Sequence, residues 1–262
     1  MLDAYTFTDE TIIEISSQKL IPIKIDAATE YGKNLFSQYN GSAYPMIIFI
    51  DYMGKELDRF YGYLPPYEFK IKIDNVLNNI NSLETYLEDY KKGNHSAELI
   101  KQLADKYSDR GEYNQAISLF NELLLSSNQS KNDNEYAKYA IASLELKNNN
   151  EHIMAKYLLE NVESSFFEKA KNVYANYLNR SAWKMAELDS NLNEALSKID
   201  KGLVLINDSN NSLPYLLDTK AEILWKLNEN EKAVEIINRA ILLDTETKYY
   251  QEQKNKFLNI IN

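Results

Sequence analysis

Alanine recurs along the last two thirds of this sequence at Ala116, Ala155, Ala195 and Ala233, at intervals of 39, 40 and 38 residues. Four positions after each stands a large apolar residue: Phe120, Leu159, Ile199 and Ile237. A small residue repeated at so regular a period marks a place where two helices must approach closely, because a bulky side chain there would push the backbones apart. The stretch holding these alanines is also nearly free of helix breakers. Beyond Pro66 the sequence has only Gly93, Gly111, Gly202 and Pro214. Stacked helical hairpins are the expected architecture.

This pattern resembles the tetratricopeptide repeat, whose units want a small residue near position 8, alanine at 20, a large apolar residue at 24 and a small one at 27. A unit beginning at Ala97 supplies Ala104, Tyr107, Ala116 and Phe120. One beginning at Tyr136 supplies Ser143, Leu146, Ala155 and Leu159. The third, from Asn176, gives Trp183, Ala195, Ile199 and Gly202. The fourth, from Pro214, gives Ala221, Leu224, Ala233, Ile237 and Ala240. The extra residues per unit fall in polar linkers such as SSNQSKNDN and NDSNNS, where insertion is cheap. Tyr249 to Ile261 reads as a last helix whose Lys and Gln face covers the apolar flank of the array.

The resemblance implies a binding groove lined by the first helix of each unit, at positions 2, 5, 9 and 12. The third unit then offers Tyr177, Arg180, Lys184 and Glu187, and the fourth Tyr215, Asp218, Glu222 and Trp225. The first offers Glu98, Lys101, Asp105 and Ser108. Tyr, Trp and Arg dominate binding energy when desolvated at interfaces, so Tyr177, Arg180 and Tyr215 lead the expected partner-binding set, with Lys184, Asp218 and Glu222 beside them. The family's carboxylate clamp is not expected. Lys101 fits it, but Asp105 stands where a neutral amide is needed, and its charge would repel a terminal carboxylate.

The first third is organised differently. Four glycines and four prolines crowd residues 1–66. Asp9 is placed to cap a helix through Ser17, and the β-branched run Leu20–Ile25 reads as a buried strand. A helix follows over 28–39, then a strand at Met46–Ile50, a turn through Asp51 and Gly54, a half-exposed strand to Tyr61, and a helix opened by Pro65 and Pro66. Lys91, Lys92, Gly93 and Asn94 form a polar break. Three regions are expected: 1–80, a helical linker over 81–96, and repeats over 97–262.

Residues 2–77 are similar to the later part of a thioredoxin-fold domain of the disulfide-reductase and isomerase kind. The resemblance rests on LDAYTFTDETIIEISSQKLIPIKIDA, on GSAYPMIIFID as the proline loop entering a strand, on the hairpin MGKELDRFYGYLP and on the closing helix PPYEFKIKIDNVL. It implies an α/β fold, incomplete here, followed by an all-α solenoid of the tetratricopeptide type. It implies a cis bond before Pro45 and substrate contact at Ala43, Tyr44 and Pro45. The family's C-x-x-C and its first strand would precede Leu2, so the chain is expected to be a fragment, or a product started at an internal Met1, whose parent is a thiol-disulfide oxidoreductase of a bacterial periplasm or envelope. The alternative is a degenerate, non-catalytic domain that closes the gap by pairing the strands at 20–25 and 46–50 directly.

Composition narrows the chemistry. A net charge of −10 and the lack of any long basic run argue against a nucleic-acid surface. No apolar run reaches the ~18 residues that a membrane span needs, and MLDAYTFTDE lacks the basic and apolar regions of a secretory signal. With no cysteine there is no thiolate nucleophile and no disulfide in this sequence. His95 and His152 lie in different segments and are expected to be structural or surface residues. No G-x-S-x-G, H-E-x-x-H or P-loop occurs, and no catalytic residue, metal site or cofactor is expected. Paired carboxylates such as Glu10 and Glu14 read as a solvated helix face. The expected partner is a protein or peptide client, with the oligomeric state open.

Overall fold

The computed structural model describes residues 1–126 and 130–258. The chain divides into two compact units, Met1–Leu144 and Glu145–Asn262.

The first unit opens with a wide helical turn at Leu2–Thr6 and helix α1 (Glu10–Lys19). Asp9 caps α1: its Oδ1 accepts from the amides of Thr11 at 3.0 Å and Ile12 at 3.2 Å. Helix α2 (Glu30–Gln38) begins later than the sequence suggests, because the Thr29 hydroxyl takes the amide of Gly32 at 3.0 Å and sets the start. Strands β1 (Met46–Ile50) and β2 (Glu56–Tyr61) pair antiparallel, with Ile47 opposite Phe60 and Phe49 opposite Asp58. Their turn is held by Asp51, whose Oδ1 accepts from the amides of Met53 and Lys55, while Gly54 adopts φ +82°, which costs an L side chain most. The Tyr44–Pro45 bond is cis. Helix α3 (Pro66–Leu77) closes this part, and its Phe69 and Ile73 meet Leu2, Ile12 and Phe60 in a small core.

One expected element is absent from its place. Leu20–Ile25 forms no strand: the only sheet among the described residues is the β1–β2 pair. The segment carries Ile21 and Ile23 in solvent, 88% and 74% exposed. A strand exists by its ladder, and neither β1 nor β2 pairs with these residues to supply one. The direct pairing of 20–25 with β1 does not occur either.

Helix α4 (Leu83–Lys91) occupies the expected linker, and packs against α5 (Ala97–Asp109), which forms an antiparallel hairpin with α6 (Tyr113–Leu125). Leu103, Ala104, Ala116, Phe120 and Leu123 are buried together there. Helix α7 (Lys131–Lys147) follows, adding Ala137, Ala140 and Leu144 to the same core.

The second unit contains α8 (Glu151–Glu160), α9 (Phe167–Glu187), α10 (Leu192–Leu205), α11 (Leu213–Lys226), α12 (Asn230–Leu243) and α13 (Lys248–Phe257). α9 pairs with α10 and α11 with α12, while α10 and α9 both pack on α11. Ala195, Ile199, Ala233, Ile237 and Ala240 have no exposed surface. At Gly202 the close approach is direct: a Cβ would stand 3.4 Å from the carbonyl oxygen of Ala175 and from the Leu216 side chain. The tail of the expected last helix, up to Ile261, lies outside the described residues, as do residues 127–129 of the first polar linker.

The second repeat is rotated by one residue from the sequence reading. Ala155 is half-buried and Leu159 is 81% exposed, whereas Met154 and Leu158 are buried. In the preceding helix Ala142 is buried and Ser143 half-buried, while Leu146 is buried as the sequence suggests. The cause is the apolar stripe of α8: Met154, Tyr157 and Leu158, at i, i+3 and i+4, present more apolar surface than Ala155 and Leu159 can. Trp183 shows the same offset, since Ala182 takes the close contact and the indole is left half-buried.

Candidate protein-binding site

The groove residues expected of the third repeat lie along one side of α9. Arg180, Lys184 and Glu187 are exposed. Arg180 and Lys184 make no ion pair among the described residues, although other cations of this unit are committed: Lys198 and Lys201 to Glu151, Lys220 to Asp200, Lys226 to Asp189. Tyr177 is half-buried and stacks on Tyr174, with ring centroids 6.5 Å apart. Tyr174 is itself buried and donates to Glu151 at 2.6 Å. Burial and that bond push its hydroxyl well above the usual phenol range, so it stays neutral and holds the ring under Tyr177.

α11 is enclosed on most of its circumference, and its four candidates fare differently. Tyr215 is exposed. Asp218 and Glu222 lie under α13, each 7% exposed, and Lys256 of α13 reaches Glu222 at 2.6 Å. The same ammonium stands 4.3 Å from the centre of the Trp225 ring. The sequence reads α13 as a cap whose Lys and Gln face covers the apolar flank and does not single out Lys256, whose neighbour Phe257 is buried in the same seam.

In the first repeat Lys101 is engaged with Asp133 at 2.8 Å, which holds that carboxyl below its usual range. Asp105 receives the Tyr136 hydroxyl at 3.4 Å. Neither is arranged for a carboxylate ligand.

The expected contact residues of the first third, Ala43, Tyr44 and Pro45, are all exposed, and Tyr44 stacks on Phe36 with centroids 4.3 Å apart. They lie in the loop leading into β1. His95 joins Glu122 at 2.7 Å, and Tyr90 donates to the other Glu122 oxygen. This cluster ties α4 and the turn after it to α6. His152 is exposed.

The unexpected feature of the first unit is a buried ionic joint between β2 and α5. Arg59 donates to Glu56 through Nε at 2.8 Å and again through Nη2. Its Nη1 donates to the carbonyl of Tyr39 at 2.6 Å and to that of Asp109 at 3.2 Å, and the Tyr61 hydroxyl donates to the same Asp109 oxygen at 2.9 Å. Those carbonyls terminate α2 and α5, where helices leave acceptors unpaired and welcome a positive charge. Arg110 completes Glu56 at 3.0 Å, and Lys106 holds Asp58 at 2.6 Å. Burial opposes the Arg59 charge, but the Glu56 and Tyr61 bonds outweigh it and keep the guanidinium protonated above its usual range. For Lys106 burial wins, and its ammonium gives up its proton more readily than usual.

Among the described residues no group of acidic, histidine or cysteine side chains is set to hold a metal ion, and no helix is long and apolar enough to cross a membrane. A recess of about 320 Å³ lies between Asp208–Asn211, Pro214 and Leu243–Asp244. What the molecule presents is helical hairpins with close-packed alanines.

Comparison with solved structures finds distant likenesses to two helical-repeat proteins. YrrB, described as a tetratricopeptide-repeat protein with an unusual peptide-binding site, aligns over 66% of this chain and 81% of its own, at 17% identity and a TM-score of 0.40. TTC0263, a thermophilic tetratricopeptide-repeat protein of Thermus thermophilus, aligns over 68% of this chain and 89% of its own, at 14% identity and a TM-score of 0.29. At such scores these likenesses carry no assignment. No family model matches the sequence, and no curated protein does.

Proposed function

We propose that this protein is an adaptor that holds a protein or peptide client on the groove-lining face of α9 and α11. The observation that carries the reading is the uncommitted row on that face: Arg180 and Lys184 without ion pairs among the described residues, Tyr215 exposed, and Tyr177 supported from below by a neutral Tyr174. Aromatic and guanidinium groups held in place lose little rotamer freedom on binding, which is why they anchor interfaces. Asp218 and Glu222 belong to the same proposed set and reach a client only if α13 yields. Tyr177→Ala combined with Tyr215→Ala is expected to reduce client capture tenfold or more, about 1.4 kcal/mol or greater, with the helical circular dichroism signal unchanged. The measurement compares partners retained by the immobilised wild-type and double-variant chains by quantitative mass spectrometry. Equal retention would move the site off this face.

The N-terminal part is, in this proposal, a thioredoxin-like module (1–80), joined through 81–96 to the repeats (97–262), with Ala43, Tyr44 and Pro45 as its peptide contact. The parent would be a thiol-disulfide oxidoreductase whose C-x-x-C precedes Leu2. The order of α1, α2, β1, β2 and α3 supports this reading. A second reading, a scaffold that carries no redox chemistry, is favoured by the buried Arg59–Glu56 joint, which binds the β-hairpin to the first repeat as a fixed support. The present sequence contains no cysteine, so the purified chain is expected to show no turnover in an insulin or dithiol reductase assay; measurable turnover would overturn both readings. An in-frame W-C-x-x-C in the coding sequence ahead of Met1 separates them.

A further inference from the structure

The contact between α13 and α11 is built with a defect. Asp218 and Glu222 sit one helical turn apart on α11, both nearly enclosed, and Lys256 is the cation that α13 brings to them. That ammonium goes to Glu222. Asp218 Oδ1 is left buried with no hydrogen-bond partner, and so is the hydroxyl of Tyr250, a residue that is 1% exposed. Around this polar fault the seam is apolar: Tyr250 and Phe257 pack with Leu213, Leu217 and Ile237. α12, α9 and α10 turn apolar side chains to α11 here, among them Ala233, Ala240, Ala182 and Ile199. The groups acting on Asp218 are therefore Glu222 from its own helix and Lys256 and Tyr249 from α13.

We propose that α13 is a releasable cap over the end of the array, and that ionisation of Asp218 is what loosens it. Two carboxylates under one ammonium cannot both be charged at low cost when water is excluded. Burial, and then Glu222, push the Asp218 carboxyl up to about 7. With α13 lifted away, Asp218 faces water and returns to an ordinary value near ~4. The sign follows by linkage. Below about 4 both forms hold the proton and docking is strongest. Between about 4 and 7 only the docked form holds it, so docking weakens by up to about tenfold per pH unit. Above about 7 both are ionised and the loss is complete.

The test is hydrogen exchange on the full chain, read as protection factors of the α13 amides between about pH 5 and 8, which removes the intrinsic pH dependence of exchange. Wild-type protection is expected to fall several-fold or more from about pH 5 to 7 and to level off above that. Asp218→Asn should hold α13 at its low-pH protection throughout, because the amide carries no charge at any of these values. Lys256→Ala should lower protection at every pH and keep the slope, since the carboxyl pair remains. Flat wild-type protection, or an equal slope in Asp218→Asn, would overturn the proposal. The amides of α12 serve as the internal control: a parallel fall there would mean that the whole unit, not the cap, responds, and would equally overturn it.

Discussion

Arg59→Ala is expected to cost the first unit about 3–5 kcal/mol, the range for breaking a buried ion pair from one side. The arginine side chain is 3% exposed and answers three acceptors at once: the Glu56 carboxylate and the carbonyls that end α2 and α5. Removing it leaves Glu56 to Arg110 alone and strips the Tyr39 carbonyl of this donor. The asymmetry matters more than the pair's net worth, since an intact buried pair adds little over a well-packed apolar core, whereas a stranded charge is expensive. Arg59→Met keeps most of the volume but strands the same groups, so it should recover only the packing share of the loss. Urea unfolding at fixed salt, followed by circular dichroism, measures the difference. A loss below about 1 kcal/mol would mean that water already reaches the joint.

That joint also marks the limit of what the sequence discloses. The helices of the repeats were legible because their signal is local: alanine against a large apolar residue, and scarcity of breakers. β1 was legible as an apolar run bounded by a turn. The tie between β2 and α5 was not, because it joins residues 56–61 to 106–110 and each of its charges, taken singly, reads as solvated surface. The segment 20–25 failed for the reverse reason. Its isoleucines state a wish for burial, but a strand needs a neighbour, and no property of the run itself says whether one is supplied. At the candidate site, the sequence offers Tyr177, Arg180, Lys184 and Tyr215 as one set; the structure exposes Arg180, Lys184 and Tyr215 and half-buries Tyr177. The sequence left Asp218 and Glu222 facing an open groove because Lys256, the residue that covers them, lies 34 positions beyond Glu222.

The one-residue rotation of the second repeat yields the sharpest contrast between two alanines that look alike in sequence. Ala195→Leu is expected to destabilise the second unit by about 3 kcal/mol, the upper part of the range for overpacking a close-packed core. Ala195 has no exposed surface and belongs to the cluster in which α9, α10 and α11 meet, with Ala175, Ala182 and Ile199 around it. Three added carbon atoms have no void to enter, and the helices must separate or the rotamer must strain. Ala155→Leu should change stability by no more than about 0.5 kcal/mol, because Ala155 is only half-buried and a leucine there can lie along the surface beside Leu159. Thermal and urea melts of the two variants in the full chain decide it. If Ala155→Leu costs as much as Ala195→Leu, the second repeat keeps the register that its sequence suggests. If neither costs anything, the recurring alanines do not mark helix contacts, and the adaptor reading loses its physical footing.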